Sequence, residues 1–597
     1  MTAASAISAD AIRWLPATER KVPLRCAACG HTGPHAPVAE VPALTPPHTH
    51  LTLLKCAGCD SLLYDPPGIR EFSDFAEGYD GFWRFYVEAG GGIWETIWPV
   101  LACAERGNLL DVGCGFGFLL DFWQRTGRGD AIGVELAEYG RIGASELGVV
   151  IHQSLLEDCA ALAGRRFDIV YASEVIEHVP DPRAFAATLA PFVADEGVLV
   201  LTTPAAAFVT PENRSSTLLA ALAPGFHGFL LSERAFAEIV RSAGFPYVET
   251  HRFGERQLLF ASRRPLTLEL DHAKLREPFL AYMAERLTLP VDDKSVWLGY
   301  AYRYLRDLTN LGRHVEAKRV AARMRDVIAA TYGLATLDPR QVVSKLSQCD
   351  SLAEAQHEAP LFVPCFFYYE GMLAQHVDRD IVRARDLYEG AVAAAYACAR
   401  LGAVFFLEAL WVLWEARIAG ALLTLAENPA AAAATLSEIA QHGAVGVVDN
   451  PLAAVSHARI EGLLPDVAER LRARGALREA SVVADAYERY VGRVYGDAML
   501  TSIGIERAIG DPAARLPHDP LFPLWFAGLR ARDTDGIERA RPYLADVVRI
   551  AELFSDDARF ASRFRERAAA ARRLLGMPAQ TRNALFEMAF TLKPPSG

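Results

Sequence analysis

The stretch Leu109–Gly117, Leu-Leu-Asp-Val-Gly-Cys-Gly-Phe-Gly, constrains this chain more than any other. A short apolar run reaches Asp111, and glycines then recur at Gly113, Gly115 and Gly117, with Cys114 between the first two. Phe118–Arg125 follows with an amphipathic pattern that predicts a helix. The order is strand, tight turn, helix start. Glycine is needed where the chain turns sharply and where a ligand must touch main chain with no Cβ in the way. Several nucleotide-binding folds use such a turn, so the residues around it decide between them.

Here the acid comes first and the glycines recur every second residue, unlike the Gly-x-Gly-x-x-Gly of dinucleotide sites. The next apolar strand, Ala131–Val134, ends in Glu135 and Leu136, which puts a carboxylate where it can accept both hydroxyls of a ribose lying over the turn. Together these residues resemble motif I and the second-strand acid of the class I S-adenosylmethionine-dependent methyltransferases. The resemblance implies S-adenosylmethionine as cofactor, with Asp111, Gly113, Cys114, Gly115, Gly117, Glu135 and Leu136 around it.

From Asn108 onward strand and helix patterns alternate. Strands are predicted at 109–112, 131–134, 149–152, 167–172, 197–202, 247–252 and 257–262, and helices at 118–125, 138–147, 182–192 and 233–243. Such alternation implies an α/β Rossmann-like domain, a seven-stranded, mostly parallel sheet covered on both faces. Ligands of such sheets lie beyond the carboxyl ends of the strands.

The fourth strand runs into Ser173-Glu174-Val175-Ile176-Glu177-His178-Val179-Pro180-Asp181-Pro182. This is similar to the Glu-His-Val-Pro-Asp-Pro signature of a methyltransferase branch that includes quinone O-methyltransferases and zinc-containing sugar C-methyltransferases. The resemblance implies that Ser173 and Glu174 sit beside the methionine part of the cofactor and that His178 faces the acceptor; by itself Glu177 reads as a local cap or pairing residue. Leu199–Pro204 resembles the fifth strand of that branch, and Phe226–Ser232 its His-x-x-x-x-Ser segment, with Ser232 as helix N-cap and His227 as a base. Relatives that methylate carbon carry a glutamate before this histidine. Phe226 stands there instead, which weakens transfer to carbon and leaves a hydroxyl as the acceptor group. After the third strand come Ser154 and Leu155, where relatives often carry an acid, so adenine contact is expected to be backbone and apolar.

Four of the ten cysteines form Cys26-x-x-Cys29 and Cys56-x-x-Cys59. Paired thiolates in a chain without a secretory signal are expected to bind metal, and two such turns supply the four sulfurs of a closed structural Zn²⁺ site. His31, His35, His48 or His50 could replace a sulfur. The aromatic-rich segment 72–99 reads either as helices packed on the next domain or as a lid over cofactor and acceptor, with Tyr79 as the polar handle of that lid.

At 597 residues the chain is too long for one core. Three parts are expected: a zinc-binding module at 1–70, the methyltransferase domain with its aromatic lid at 71–265, and an all-α region at 266–597 whose helix pairs loosely resemble tetratricopeptide hairpins. That region is expected to bind a protein partner or to self-associate. The net charge of -12 argues against broad nucleic-acid binding, and the most apolar run, Leu401–Leu425, carries Glu408, Glu415 and Arg417, which argues against a membrane span. The expected protein is a cytoplasmic methyltransferase acting on a small molecule or sugar. An RNA methyltransferase with a zinc module, and a scaffold acting through its helices, are the alternatives.

Overall fold

The computed structural model describes residues 12–16, 21–43, 49–67, 82–90, 92–211, 213, 215–290, 293–334, 337–402, 407–442, 457–511, 514, 516–555 and 559–577. Tyr79, His48 and Phe75 lie outside them. The chain forms two compact units, residues 1–413 with 448–452, and residues 414–447 with 453–597.

The first unit opens with strands β1 (Arg13–Trp14), β2 (Val22–Arg25), β3 (Thr32–Pro42), β4 (His50–Lys55) and β5 (Leu62–Asp65). Two Cys-x-x-Cys turns, 26–29 and 56–59, join β2 to β3 and β4 to β5. The sequence reading assigned no strands here, because prolines at 34, 37 and 42 interrupt the alternation that marks a strand.

The larger sheet comprises β6 (Leu109–Val112), β7 (Ala131–Val134), β8 (Val150–His152), β9 (Phe167–Ser173), β10 (Val193–Pro204), β12 (Tyr247–Phe253) and β13 (Arg256–Ser262), ordered β12-β13-β10-β9-β6-β7-β8. The five strands from β10 to β8 run parallel, and β13 and β12 are antiparallel additions at one edge. Burial explains the pattern: β6 is buried at all four positions and reads as a continuous apolar run, as a central strand covered on both faces must. Strand order reverses at β6 and β9, so the ends of these two strands face the crevice where ligands of such sheets bind.

One strand belongs to the other sheet. β11 (Phe229–Leu230) pairs antiparallel with β5, Phe229 opposite Leu63 and Leu230 opposite Leu62. The N-terminal sheet therefore does not stand alone. Its core of Ala39, Val41, Leu53 and Tyr64 is completed by Leu218, Leu219, Leu222 and Leu230, and Tyr64 Oη donates to the Leu222 carbonyl at 2.6 Å.

Helices take over after Ser262. In the first unit α1 (His272–Arg286), α2 (Lys294–Asn310), α3 (His314–Tyr332), α4 (Pro339–Gln348), α5 (Val363–Leu373) and α6 (Ile381–Gly402) follow in turn. α1 and α2 attach through a buried polar network: Tyr282 Oη donates to Asp121 at 2.5 Å, and Arg286 Nε lies 3.2 Å from the same carboxylate. The second unit contains α7 (Pro429–His442), α8 (His457–Ala473), α9 (Leu477–Tyr495), α10 (Ser502–Gly510), α11 (Phe522–Asp535), α12 (Ile537–Leu553) and α13 (Ala561–Leu575). Pro465, read from sequence as a helix start, lies inside α8, because buried Leu464 and Val467 pack that helix through the proline. Among the described residues no helix is long and apolar enough to cross a membrane.

Candidate active site

The cofactor end of the site is built at the tips of β6, β7 and β8. Gly113, Gly115 and Gly117 leave β6 with φ of +71°, +57° and +85°, conformations that L side chains rarely adopt. A Cβ on Gly113 would lie 2.6 Å from Val175 Cγ2, so the turn also packs on the segment after β9. Glu135 fixes the turn: its carboxylate accepts from Gly115 N at 3.0 Å and Ala137 N at 2.8 Å. Each oxygen keeps a further lone pair for a ligand hydroxyl. Burial raises the Glu135 pKa, opposed by the N–H groups of Ala137, Gly115 and Leu136. Asp111 is buried beneath, its pKa pushed up by burial and then by Glu135, and burial first, with Asp111 and Glu135, keeps the Cys114 thiol protonated.

β7 and β8 are neighbours, with Val134 opposite His152. Just past their ends Leu136 and Leu155 are 48% and 47% exposed, and the Ser154 hydroxyl is buried with no hydrogen-bond partner among the described residues. Two exposed apolar side chains and an orphaned hydroxyl suit a flat heterocycle with polar edges. The glycine cradle, Glu135 and this platform together fit S-adenosylmethionine.

A second group of polar side chains lies past β9 and β10. Ser173 and Glu174 stand at the end of β9, and Glu174 takes a left-handed φ of +55°. Thr202 Oγ1 donates to Glu174 at 2.8 Å, so Ser173 Oγ, 2.7 Å from Thr202 Oγ1, is the donor in that contact. Arg256 Nε is 3.7 Å from Glu174, whose charge raises the Arg256 pKa. Glu177 is fully buried, with Oε2 accepting from Thr203 Oγ1 at 3.0 Å and Oε1 without a hydrogen-bond partner among the described residues. His227 Nε2 lies 4.0 Å from that Oε1.

The rings of His178 and His227 meet edge to face, their centroids 4.7 Å apart. His178 Nδ1 donates to the Phe226 carbonyl at 3.1 Å and His227 Nδ1 to the Ala221 carbonyl at 3.0 Å, because a carbonyl only accepts. Burial lowers both imidazole pKa values, that of His227 to about 3 with help from neighbouring His178. Glu177, desolvated, moves the other way. One ligand atom from each of Glu177, His178 and His227 lies within 4.8 Å of the others, close enough to share a proton or a divalent cation.

This cluster is held by the N-terminal sheet. β11, two residues after His227, pairs with β5. Ser232 Oγ donates to the Cys59 carbonyl at 2.5 Å, Ser232 N to Ser61 Oγ at 3.0 Å, and Arg234 to the Gly58 carbonyl at 2.7 Å. On the other side Arg183, just after Pro182, donates to the Ala28 carbonyl at 3.0 Å. The two cysteine turns thus clamp the two segments that carry the histidines.

The four cysteines converge. Cys26 and Cys59 sulfurs are 3.7 Å apart, as are those of Cys29 and Cys56, and all four lie within 4.8 Å of one another. Sulfurs bound at 2.3 Å around a tetrahedral zinc would be roughly 3.8 Å apart, whereas a disulfide needs about 2.05 Å. The donor set fits zinc. His35 does not compete for it: Nε2 donates to the Leu24 carbonyl at 2.9 Å and Nδ1 accepts from Ala57 N at 3.2 Å.

Two residues of the site were not among those singled out from sequence. Glu177 sits inside the quoted motif, but its burial against His227 depends on a segment 50 residues away that only the fold brings near. Tyr86, from the aromatic segment, occupies the glycine turn, its ring parallel to those of Phe118 and Tyr139.

A methyltransferase-domain family model matches residues 93–250. The chain is 38% identical over 102 residues to a ubiquinone biosynthesis O-methyltransferase of Cereibacter sphaeroides, covering 16% of this chain and 40% of that protein. The same enzyme of Sodalis glossinidius is 36% identical over 101 residues, covering 16% and 41%. The chain thus spans about two fifths of the length of these curated relatives. Among solved structures, an O-methyltransferase family protein from Burkholderia thailandensis matches at 19% identity, 32% of this chain, 59% of that one and a TM-score of 0.24. An S-adenosylmethionine-dependent methyltransferase from Archaeoglobus fulgidus matches at 17%, covering 30% and 99%, with a TM-score of 0.26. Residues 93–250 of this chain are a class I S-adenosylmethionine-dependent methyltransferase domain.

Proposed function

We propose that this protein methylates an oxygen of a small-molecule or sugar acceptor bound against Glu177, His178 and His227, and that Cys26, Cys29, Cys56 and Cys59 hold a structural zinc ion. The observation that carries the reading is the pairing of the Glu135-braced glycine cradle with a buried carboxylate–histidine cluster at the adjoining strand ends. The relatives' O-methyltransferase names and Phe226 in place of a glutamate both support oxygen as the acceptor atom.

S-adenosylmethionine, when bound, supplies a methyl group activated on a sulfonium. The protein then has to align the acceptor, exclude water and take one proton. Glu135 and the glycine turn bind the ribose, and the Ser173–Thr202–Glu174 chain fixes the neighbouring strand ends. His227 accepts the proton at Nε2 as the acceptor oxygen forms its new bond. The resulting imidazolium donates from Nδ1 to the Ala221 carbonyl, and its Nε2 stands 4.0 Å from Glu177 Oε1. This stabilisation is needed, because burial alone makes His227 a weak base. The clustering of three ligand atoms favours a second reading, in which a divalent cation at the same place binds the acceptor oxygen and lowers its pKa.

Calorimetric titration of the zinc-replete protein with S-adenosylmethionine, with Glu135→Ala and NADH as controls, tests the cofactor. Loss of about 100-fold in affinity in the variant is expected. Labelled methyl transfer to a panel of hydroxylated acceptors, compared with His227→Asn and with and without magnesium, tests the chemistry. Binding of NADH but not S-adenosylmethionine would overturn the reading.

A further inference from the structure

The π-helical turn Tyr86–Gly90 touches the glycine cradle on one side and helices α2 and α3 of the first unit on the other. On the inner side Tyr86 lies parallel to Phe118 at 6.0 Å and to Tyr139 at 5.2 Å between ring centroids. Its hydroxyl fills the space over Gly115, where a Cβ would fall 2.6 Å from Tyr86 Oη. Among the described residues this hydroxyl has no hydrogen-bond partner, although the carboxylates of Glu135 and Asp111 act on it. A phenol held in an aromatic slot, with its oxygen set over a ligand-binding glycine, is placed to donate to a ligand atom in the cradle.

On the outer side the turn is gripped by helices far along the chain. Arg303 of α2, itself buried, donates to the Val87 carbonyl at 2.5 Å and to the Gly299 carbonyl at 3.0 Å. Val87 rests on that helix so closely that a Cβ at Gly299 would lie 2.5 Å from its carbonyl oxygen. The buried Glu88 carboxylate accepts from Leu361 N at 2.8 Å and from Tyr332 Oη, at the end of α3, at 3.4 Å. These three anchors stand 216, 273 and 244 residues from the turn in sequence. Nothing local requires a buried arginine and a buried carboxylate here. Their common effect is to fix Val87 and Glu88, and so the residue before them.

We propose that Tyr86 is a cofactor-binding residue and that Glu88 and Arg303 are positioning residues for it, so that α2 and α3 of the first unit are a working part of the cofactor site. Tyr86 Oη donates to an oxygen of bound S-adenosylmethionine, and the clamp holds it in place before the cofactor arrives. The inference rests on the cofactor reading given above.

The test is calorimetric titration of the full-length protein with S-adenosylmethionine in wild type, Tyr86→Phe, Glu88→Gln and the double variant. Tyr86→Phe is expected to weaken binding roughly tenfold, the worth of one hydrogen bond to a ligand, and Glu88→Gln by a similar factor. The double variant should be no weaker than Tyr86→Phe alone, because the clamp acts only through that hydroxyl. Unchanged affinity in Glu88→Gln, or losses that multiply in the double variant, would overturn the proposal. Should Glu88→Gln not fold, Gly299→Ala displaces the same turn through its new Cβ and carries the same comparison. A folded wild type that binds no S-adenosylmethionine would instead remove the cofactor reading, and this inference with it.

Discussion

The glycine cradle and the carboxylate–histidine cluster lie at the carboxyl ends of one sheet, yet they draw on the chain differently. The cradle is local: Glu135 reaches back 20 residues to Gly115, and neighbouring parallel strands hold both. The carboxylate–histidine cluster is assembled from afar. His178 contacts the Phe226 carbonyl across 48 residues, and the segment carrying His227 is pinned to the cysteine turns across 173. A cradle closed by its own strand–turn–helix is independent of the cysteine-bearing sheet, whereas a cluster stapled by that sheet inherits every weakness of it.

Breaking the staple should separate the two ends most clearly. Cys59→Ser, or zinc removal by a chelator, should cost the N-terminal sheet on the order of 10 kcal/mol of local stability. Histidine NMR signals of His178 and His227 should then broaden while the affinity for S-adenosylmethionine is kept. Parallel loss of both would show that the ends are not separable.

Acid should act on the carboxylate–histidine cluster next. The His227 pKa is depressed from its ordinary 6.5 to about 3, so the folded state binds fewer protons than the unfolded chain in that window. Stability is full above pH 6.5 and falls as pH drops toward about 3, by up to about 5 kcal/mol. Urea unfolding of wild type and His227→Asn across this range should show a shallower acid slope in the variant.

The outer clamp of the cofactor end should respond in the opposite direction. Burial raises the Glu88 carboxyl from 4.5 to about 7, with Leu361 N, Ser295 and Arg84 opposing and Asp293 adding. The folded state then holds a proton that the unfolded chain has lost, so stability declines as pH rises from 4.5 to about 7, by about 3 kcal/mol. Glu88→Gln should remove that slope in the same urea series. The smallest effect belongs to the staple's hydroxyl: Ser232 accepts from Ala235 N at 3.2 Å as N-cap and donates to Cys59 O. Ser232→Ala should lower stability by about 1–2 kcal/mol in thermal unfolding, with the cofactor affinity unchanged.

How much could be read in advance follows the same division. Central strands β6, β7 and β9 were legible because strands buried on both faces are short apolar runs punctuated by glycine and acid. The positions of Asp111, the three glycines and Glu135 followed from the same pattern, and the knuckle spacing announced the four sulfurs. The N-terminal strands were hidden by their prolines, and β11, two residues long, carries no periodic signal. Glu177 read as a local cap because nothing near it in sequence says that Thr203 and His227 will enclose it. In the aromatic segment Tyr79 lies outside the described residues, and Tyr86 reaches the glycine turn through a contact that no local pattern marks.

The sequence by itself determined the strand–turn–helix, the alternation that builds the sheet and the two cysteine turns, because each depends on backbone preferences and side-chain period within a few residues. Only the tertiary structure decided which histidine faces which carboxylate, that the cysteine sheet finishes its core with residues 218–230, and that helices beyond residue 290 grip the turn over the cradle. Those outcomes are set by burial and hydrogen-bond satisfaction between segments from about fifty to nearly three hundred residues apart, where a polar group must find its partner in space and its neighbours in sequence give no sign of where that will be.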